Sequence, residues 1–542
     1  EELGYKLQKN DRFKLYLTNT LEMEELAQTE LPGMASLSEE SHLAGKVKKK
    51  TPILVILGNP PYSGISANMN PWIDKLLKED GEGLQSYYKV DGKPLGERKL
   101  WLQDDYVKFI RFAQWKIEQA GEGILGIITN HSYLDNPTFR GMRQSLMNSF
   151  DEIYILDLHG NTLKKEKCSD GSKDENVFDI MQGVAIALFI KKKGVKKKCK
   201  IHHSEIWGLR ENKYEWLLDK YSGTTKWKKL KPTKPYYFFI PRKEKGRLTY
   251  EKYWKVTDIF PVNCVGIVTA RDKFAIDFDK DVLKRRIEMF RNLSLPDEFI
   301  KKTYPLKDTS TFKFTKSRGT LSKDENWGKY FTKILYRPFD KRNIYYTKIV
   351  IERPLLEVMH HMMHENLGLV GMRQYAYDVT NYNYVFVTNS ITESRIFISN
   401  RGIASLFPLY LYPRKGNSGK RHSDNVVMLF EPKADYGSKR PNLSPALIEQ
   451  LSESYKKTPT PEQILFYIYA VLYSNTYRTK YIEFLKIDFP RIPFTQSYKI
   501  FSKMAKYGER LVGLHLLKST VLDPPVTKFQ GRGNKRRNWG QI

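Results

Sequence analysis

The chain has 542 residues, enough for two to four domains with sizeable cores. Its 91 Lys and Arg against 61 Asp and Glu give a formal charge of +30, which points to a polyanionic partner, with nucleic acid ahead of a membrane surface. No run approaches the roughly 18 apolar residues of a membrane span, no signal peptide or starting Met is present, and three scattered cysteines, Cys168, Cys199 and Cys264, fit a reducing cytoplasm without disulfides.

The apolar run Ile53-Leu54-Val55-Ile56-Leu57-Gly58 predicts a buried strand, and it ends in Asn59-Pro60-Pro61-Tyr62. Two prolines fix φ and remove two backbone donors, so the turn is stiff and its carbonyls are free to accept. A strand ending in this tetrapeptide is a signature of enzymes that methylate an exocyclic or amide nitrogen. The carboxyl end of a strand is also where open α/β sheets bind ligands.

A polar stretch follows over 63–103. Val107, Ile110, Phe112, Trp115 and Ile117 then predict an amphipathic helix from Asp105 to Gln119, closed by Gly121 and Gly123. The run 124–129 predicts a strand, 138–148 a helix, and 153–157 and 184–190 two further strands. The last two lack a crossover helix and should be antiparallel. Strand, helix, strand, helix, strand, strand resembles the last four strands of the Class I S-adenosylmethionine-dependent methyltransferase fold.

Beyond about residue 205 the pattern changes to short strands, interspersed helices and many Trp and Tyr. Asp279–Phe290 predicts a basic amphipathic helix, and Thr460-Pro461-Glu462-Gln463 opens another with a capping box. Basic runs recur at 48–50, 164–165, 191–193, 196–198 and 535–537. With 34 Tyr and 28 Phe interleaved, they suit phosphate contact plus base stacking, although many rings belong to cores and each run alone reads as a solvated loop.

The tetrapeptide's chemistry can be stated for adenine. Its exocyclic amine is a poor nucleophile, because the lone pair is delocalised into the ring. Asn59 Oδ1 and the Pro60 carbonyl can accept hydrogen bonds from the amine, turning the lone pair toward a methyl donor. Positioning and electrostatics then carry the displacement. A base in a duplex must be flipped out to reach such a site. Tyr62 can stack on one face, and Phe178, in Asn176-Val177-Phe178-Asp179-Ile180, is the candidate for the other face or else an ordinary loop anchor. His360 and His364 have zinc-pair spacing but no intervening Glu and no third ligand, so they read as structural and no metal is expected.

Leu15-Tyr16-Leu17-Thr18-Asn19-Thr20-Leu21-Glu22, Trp101–Phe109, Asp157-Leu158-His159-Gly160-Asn161, Glu175–Gly183, Gly266–Asp272, Tyr336-Arg337-Pro338-Phe339-Asp340 and Asp488–Pro493 carry a wider likeness. Through them the chain resembles the methyltransferase and target-recognition portion of Type ISP restriction–modification enzymes, and more broadly the γ-class N6-adenine DNA methyltransferases of Type IIG enzymes. The resemblance implies S-adenosylmethionine as cofactor, double-stranded DNA as partner, nuclease and helicase domains upstream in the same polypeptide, and a prokaryotic cytoplasm. It assigns Asn59, Pro60, Pro61 and Tyr62 to catalysis, Phe178 to base stacking and Asn19 to the edge of the cofactor's adenine. Arg271, Arg337, Lys341 and Arg342 fall to DNA contact.

The implied fold is α/β. A partial, Rossmann-like methyltransferase domain (the C-terminal half of the sheet) over 1–204 is followed by a mixed α+β target-recognition region, with a first part over 205–345 and a helical second part over 346–542. The family's Gly-rich methionine-binding turn and first strands are absent and expected upstream of Glu1, so the chain reads as a fragment that is inactive alone if that turn is essential. The family also continues past Ile542. Two other readings stay open: an RNA or protein-glutamine N-methyltransferase, the latter disfavoured by the basic, aromatic second half, and a non-catalytic DNA-binding fragment.

Overall fold

Ile, Val and Leu runs of the first 243 residues assemble a six-stranded sheet in a computed structural model. It describes residues 15, 16, 18–23, 35–62, 66, 68–95, 100–164, 166–194, 198–242, 246–309, 311–374, 382–397, 402–413 and 439–525. The basic run at 535–537 and parts of those at 164–165 and 196–198 lie outside them. The chain divides into two compact units, Glu1–Lys243 and Glu244–Ile542. Among the described residues no helix is long and apolar enough to cross a membrane.

The first unit contains α1 (Ala35–Lys50), β1 (Val55–Gly58), α2 (Pro71–Lys78), α3 (Asp105–Ala120), β2 (Gly123–Asn130), α4 (Arg140–Ser149), β3 (Glu152–His159), β4 (Val184–Lys191), β5 (Lys200–Glu205), α5 (Arg210–Asp219) and β6 (Lys228–Leu230). The sheet order is β1-β2-β4-β3-β5-β6. Strand β1 pairs parallel with β2, and β3 with β5, while β4 lies between β2 and β3, antiparallel to both. The expected antiparallel final pair is therefore present. The C-terminal ends of β1, β2 and β3 and the N-terminal end of β4 share one edge.

Helix α3 closes as expected: Gly121 adopts φ 78°, and its N–H donates to Ile117 O at 3.0 Å. Only glycine takes that conformation readily. Two expectations about exposure fail. Strand β1 is an edge strand, not a buried one, and Leu54, Val55 and Leu57 are exposed because nothing described pairs on its outer side. The polar stripe of α3 is buried as well. Arg111 donates to Leu76 O (2.8 Å) and Gln114 (3.0 Å), and Lys116 donates to Lys48 O (2.8 Å). Lys48, expected in a solvated run, is buried and donates to Thr18 Oγ1, Asn19 O and Glu22 O.

The boundary expected at 204 falls inside the first unit, because β5 continues the sheet and Phe239 enters the same core as Leu125, Ile155 and Phe189. Among the described residues the second unit has two four-stranded sheets, besides short two-stranded pairs. Its elements include β7 (Cys264–Val265), β8 (Ile276–Asp277), α6 (Lys280–Arg291), β9 (Phe331–Arg337), β10 (Asp340–Tyr345), β11 (Gly368–Met372), β12 (Val385–Thr388), β13 (Ile391–Thr392) and β14 (Ala404–Pro408), and helices α7 (Pro445–Tyr455), α8 (Pro461–Tyr473), α9 (Asn475–Leu485) and α10 (Tyr498–His515). The sheet orders are β7-β14-β11-β12 and β8-β10-β9-β13. One core runs from Tyr250 to Val512, so the boundary expected at 345 falls within it. The predicted capping box starts α8, with reciprocal bonds between Thr460 and Gln463, and the helix predicted over 279–290 is α6, capped by Asp279.

Helices α8 and α10 meet at Gly508, where an added Cβ would fall 1.8 Å from Phe466 O. Backbone cannot yield cheaply at that distance. Gly508→Ala is expected to destabilise the second unit by about 1–3 kcal/mol, read as a lower midpoint in denaturant unfolding with an unchanged slope.

Candidate active site

The shared edge gathers the chemistry-bearing residues of the first unit. Asn59 and Pro61 are exposed, Pro60 is buried and Tyr62 is half-buried just beyond β1. The Tyr62 hydroxyl donates to Ile128 O of β2 at 3.3 Å, and burial pushes its pKa up to about 12, so it stays a neutral donor. Phe178 comes from the loop between β3 and β4. Its ring centroid lies 5.8 Å from that of Tyr62, with the planes inclined at 60°. That is direct ring contact, within the about 4.5–7 Å range of aromatic pairs. The two aromatics that sequence reasoning paired are neighbours, in an apolar cluster with Leu158, Val177 and Val184.

Asn19 is exposed, and its Nδ2 donates to Asn68 Oδ1 at 2.8 Å. Asn68 in turn donates to Asp105 at the start of α3 (2.9 Å), which also accepts from Ser66 (2.6 Å). Asn19 is thus tied through one polar chain to the residues that follow the tetrapeptide.

A buried group on the same sheet edge escaped the sequence reading. Asp157 and His159 end β3, and His131 follows β2. His131 Nδ1 lies 2.9 Å from Asp157 Oδ1, which also accepts the His159 N–H at 3.0 Å. His131 Nε2 faces Asn161 Nδ2 at 3.1 Å. Two features enforce this geometry. His159 sits at φ 52°, where the β3–β4 register shifts, and any Cβ at Gly183 would fall 2.4 Å from the His131 ring. The His159 ring stacks on Trp207 with centroids 3.4 Å apart, and its Nε2 lies 3.2 Å from Glu205. Among the described residues, His131, Asp157 and His159 form a set close enough to hold a metal ion, although His131 Nδ1 is hydrogen-bonded to Asp157 and the His159 ring bonds to Glu205. The only sequence signal was Asp157-Leu158-His159-Gly160-Asn161, which shows nothing of His131.

Burial opposes charge on both Asp157 and His159, but their mutual attraction outweighs it. Asp157 is held well below the usual carboxylate range by His131 and His159. His159 is pushed up to about 9 by Asp157, with Glu166 and Glu205 adding to it.

The four cations expected to face DNA divide unevenly. Arg271 is buried, donating to Glu352 (2.9 Å), Thr269 O and Val350 O, with its guanidinium over Phe312. Its partners are inside the fold. Arg337 pairs with Glu393 (2.8 Å). Arg342 pairs with Asp340 (2.6 Å) and lies over the Phe278 and Tyr336 rings. Lys341 is exposed and donates to Asn389. Its pKa is lowered by partial desolvation and by Lys518 and Lys333 nearby. His360 lies between the carbonyls of Leu356 (3.0 Å) and Tyr412 (3.2 Å), and His364 stacks on Tyr412, which are structural contacts.

The fold is shared with proteins of known structure, two of them Type ISP restriction-modification enzymes. The chain aligns with a DrdV–DNA complex solved by cryoEM at TM-score 0.63 and 23% identity, covering 90% of this chain and 46% of that one. It aligns with the ATP-dependent Type ISP restriction-modification enzyme LlaBIII bound to DNA at 0.65 and 23%, covering 93% and 32%. A nuclease-deletion mutant of the Type ISP enzyme LlaGI, in complex with a DNA substrate mimic, aligns at 0.62 and 20%, covering 94% and 39%. The chain therefore spans less than half the length of each. No match to a curated protein was found. Residues 258–539, more than half of the chain, match the Type ISP C-terminal specificity domain, and the chain belongs to that family.

The His159 pairing carries a pH signature. Its folded pKa of about 9 lies above the ordinary 6.5, so its stabilisation is complete below about pH 6.5 and disappears as pH rises through about 9. Melting temperature at constant ionic strength is expected to fall across that window, and His159→Gln to remove that part of the fall.

Proposed function

We propose that the chain carries the acceptor half of a DNA adenine-N6 methyltransferase together with a target-recognition unit of a restriction–modification enzyme. The observation that carries this reading is the position of Asn59-Pro60-Pro61-Tyr62 at the carboxyl end of β1, with the Phe178 ring against Tyr62. The strand order β1-β2-β4-β3, with β4 antiparallel, supports it. It is similar to the last four strands of a Class I methyltransferase sheet, whose remaining strands would pair on the outer side of β1, where nothing described pairs.

Asn59, exposed at the turn, and the Pro60 carbonyl accept hydrogen bonds from the adenine amine and orient its lone pair. Tyr62 and Phe178 stack on the two faces of the flipped base once their rings have parted. Extrusion from the duplex costs a few kcal/mol, and stacking on the two rings offsets part of it. S-adenosylmethionine, when bound, supplies an electrophilic methyl group. Exposed Asn19, held by Asn68, offers a polar edge suited to its adenine. In the second unit exposed Lys341, with Lys333 and Lys518 near it, is better placed for phosphate contact than the internally paired Arg271.

Expression of the full-length protein in a host whose DNA lacks N6-methyladenine, followed by single-molecule sequencing, tests the reading. Methylated adenines at one recurring sequence are expected, and Asn59→Ala should abolish them while DNA binding persists. Unmodified DNA with methyl transfer to tRNA or protein instead would reassign the substrate. DNA affinity should also fall steeply with salt, by about 10³–10⁵ between 50 and 200 mM for six to ten phosphate contacts. A flat dependence would count against those contacts.

A further inference from the structure

The loop that delivers Phe178 has almost no strand partners, yet its backbone is closely held. Four consecutive carbonyls in it are occupied by side chains of one helix, α5. Lys213 Nζ donates to Glu175 O at 2.5 Å, Arg210 Nε to Asn176 O at 2.7 Å, the Tyr214 hydroxyl to Val177 O at 2.5 Å and Arg210 Nη2 to Phe178 O at 3.1 Å. Positions 210, 213 and 214 share a helix face by their spacing of three and four residues.

Lys213 is the centre of this arrangement. Its side chain is 0% exposed and pairs at 2.8 Å with Asp174, also 0% exposed. It donates as well to Leu158 O at the end of β3 (2.8 Å). Asp174 in turn accepts from Gly160 N (2.6 Å) and Gly208 N (2.9 Å). The ion pair therefore joins three pieces of chain: the strand end, the Phe178 loop and the start of α5. Within the loop, the Asn176 side chain donates to Gly160 O (3.1 Å) and Gln182 O (2.6 Å) and accepts from Phe178 N (2.9 Å). The backbone of Phe178 is thus fixed from both sides, while its half-buried ring contacts Tyr62.

We propose that the α5 face formed by Arg210, Lys213 and Tyr214, with Asp174, is a clamp that holds the Phe178 backbone at a set distance from Tyr62, so that only the ring swings to admit a base. These four are positioning residues and touch no reacting atom. The inference rests on the base-stacking reading of Tyr62 and Phe178 given above. A buried charge pair suits the task, because it is strongly directional and loses heavily if either partner moves.

The test uses the full-length protein, S-adenosylmethionine and a duplex containing the methylation site found by sequencing. Arg210→Ala and Tyr214→Phe, at partly exposed positions, are compared with Lys213→Met, with circular dichroism to establish folding. In Arg210→Ala kcat is expected to fall about tenfold, with KM for DNA unchanged. Phe178→Ala should also lower kcat, and the Arg210→Ala/Phe178→Ala double variant should be no slower than Phe178→Ala alone, because a clamp without its ring has nothing to position. Losses that multiply in the double variant, or unchanged kcat in both Arg210→Ala and Tyr214→Phe, would overturn the clamp. If Lys213→Met does not fold, the other two variants still decide. Absence of methylation by the unaltered protein would instead bring down the methyltransferase reading itself.

Discussion

The insertion of β4 between β2 and β3, antiparallel to both, is the constraint on which the first unit depends. Its eight-residue register against β2, from Gly123↔Lys191 to Asn130↔Val184, brings a strand start to the edge where three strands end. That edge holds the Asn59 turn, Ile128, His131, Asp157 and His159, with Gly183 packed against His131. Backbone pairing sets this, and a slip of one residue would turn each side chain of β4 to the other face. The tight contact at Gly183 and the left-handed residue at His159 are local consequences of fitting a loop and a bulge into a fixed register.

The second theme is where the charge goes. A chain with a formal charge of +30 invites the view that its cations serve an anionic partner. Several are instead buried and hydrogen-bonded: Lys48 gathers three oxygens, Arg111 and Lys116 lie inside the first unit, Lys213 pairs with Asp174, and Arg271 pairs with Glu352. Removing one partner of such a pair leaves an uncompensated charge in a low-dielectric interior, at a cost of about 3–5 kcal/mol. Part of the basic composition is therefore architectural, and the charge available to a ligand is smaller than the total.

This division explains which parts were legible in the sequence. Ile- and Leu-rich runs, the Gly121 stop and the Thr460/Gln463 capping box depend on neighbours along the chain, and they appear where periodicity and capping chemistry put them. Tyr62 and Phe178 were paired in the sequence as the two faces of a base site, but their contact with each other was not legible there. Exposure was not legible either. Strand β1 reads as a buried strand from its apolar run, but lies at an edge. The polar positions of α3 read as solvent-facing, but meet Leu76 and the carboxyl end of α1. Arg271 gave no sign of Glu352, 81 positions away. Periodicity reports a side chain's polarity and says nothing of its distant partner, and for the same reason the role of α5, beyond the boundary expected at 204, could not be read from its own residues.

The contact between Tyr62 and Phe178 has one more consequence. The rings meet at 5.8 Å with their planes inclined at 60°, so on the base-stacking reading a planar guest would enter by exchange, giving up a ring–ring contact of about 0.5–1.5 kcal/mol for a sandwich with two faces. A guest wide enough to cover both rings recovers more than it displaces, whereas a water molecule or a small polar solute does not. On that reading the resting contact sets a threshold, because weak occupants do not repay the adhesion of the two rings.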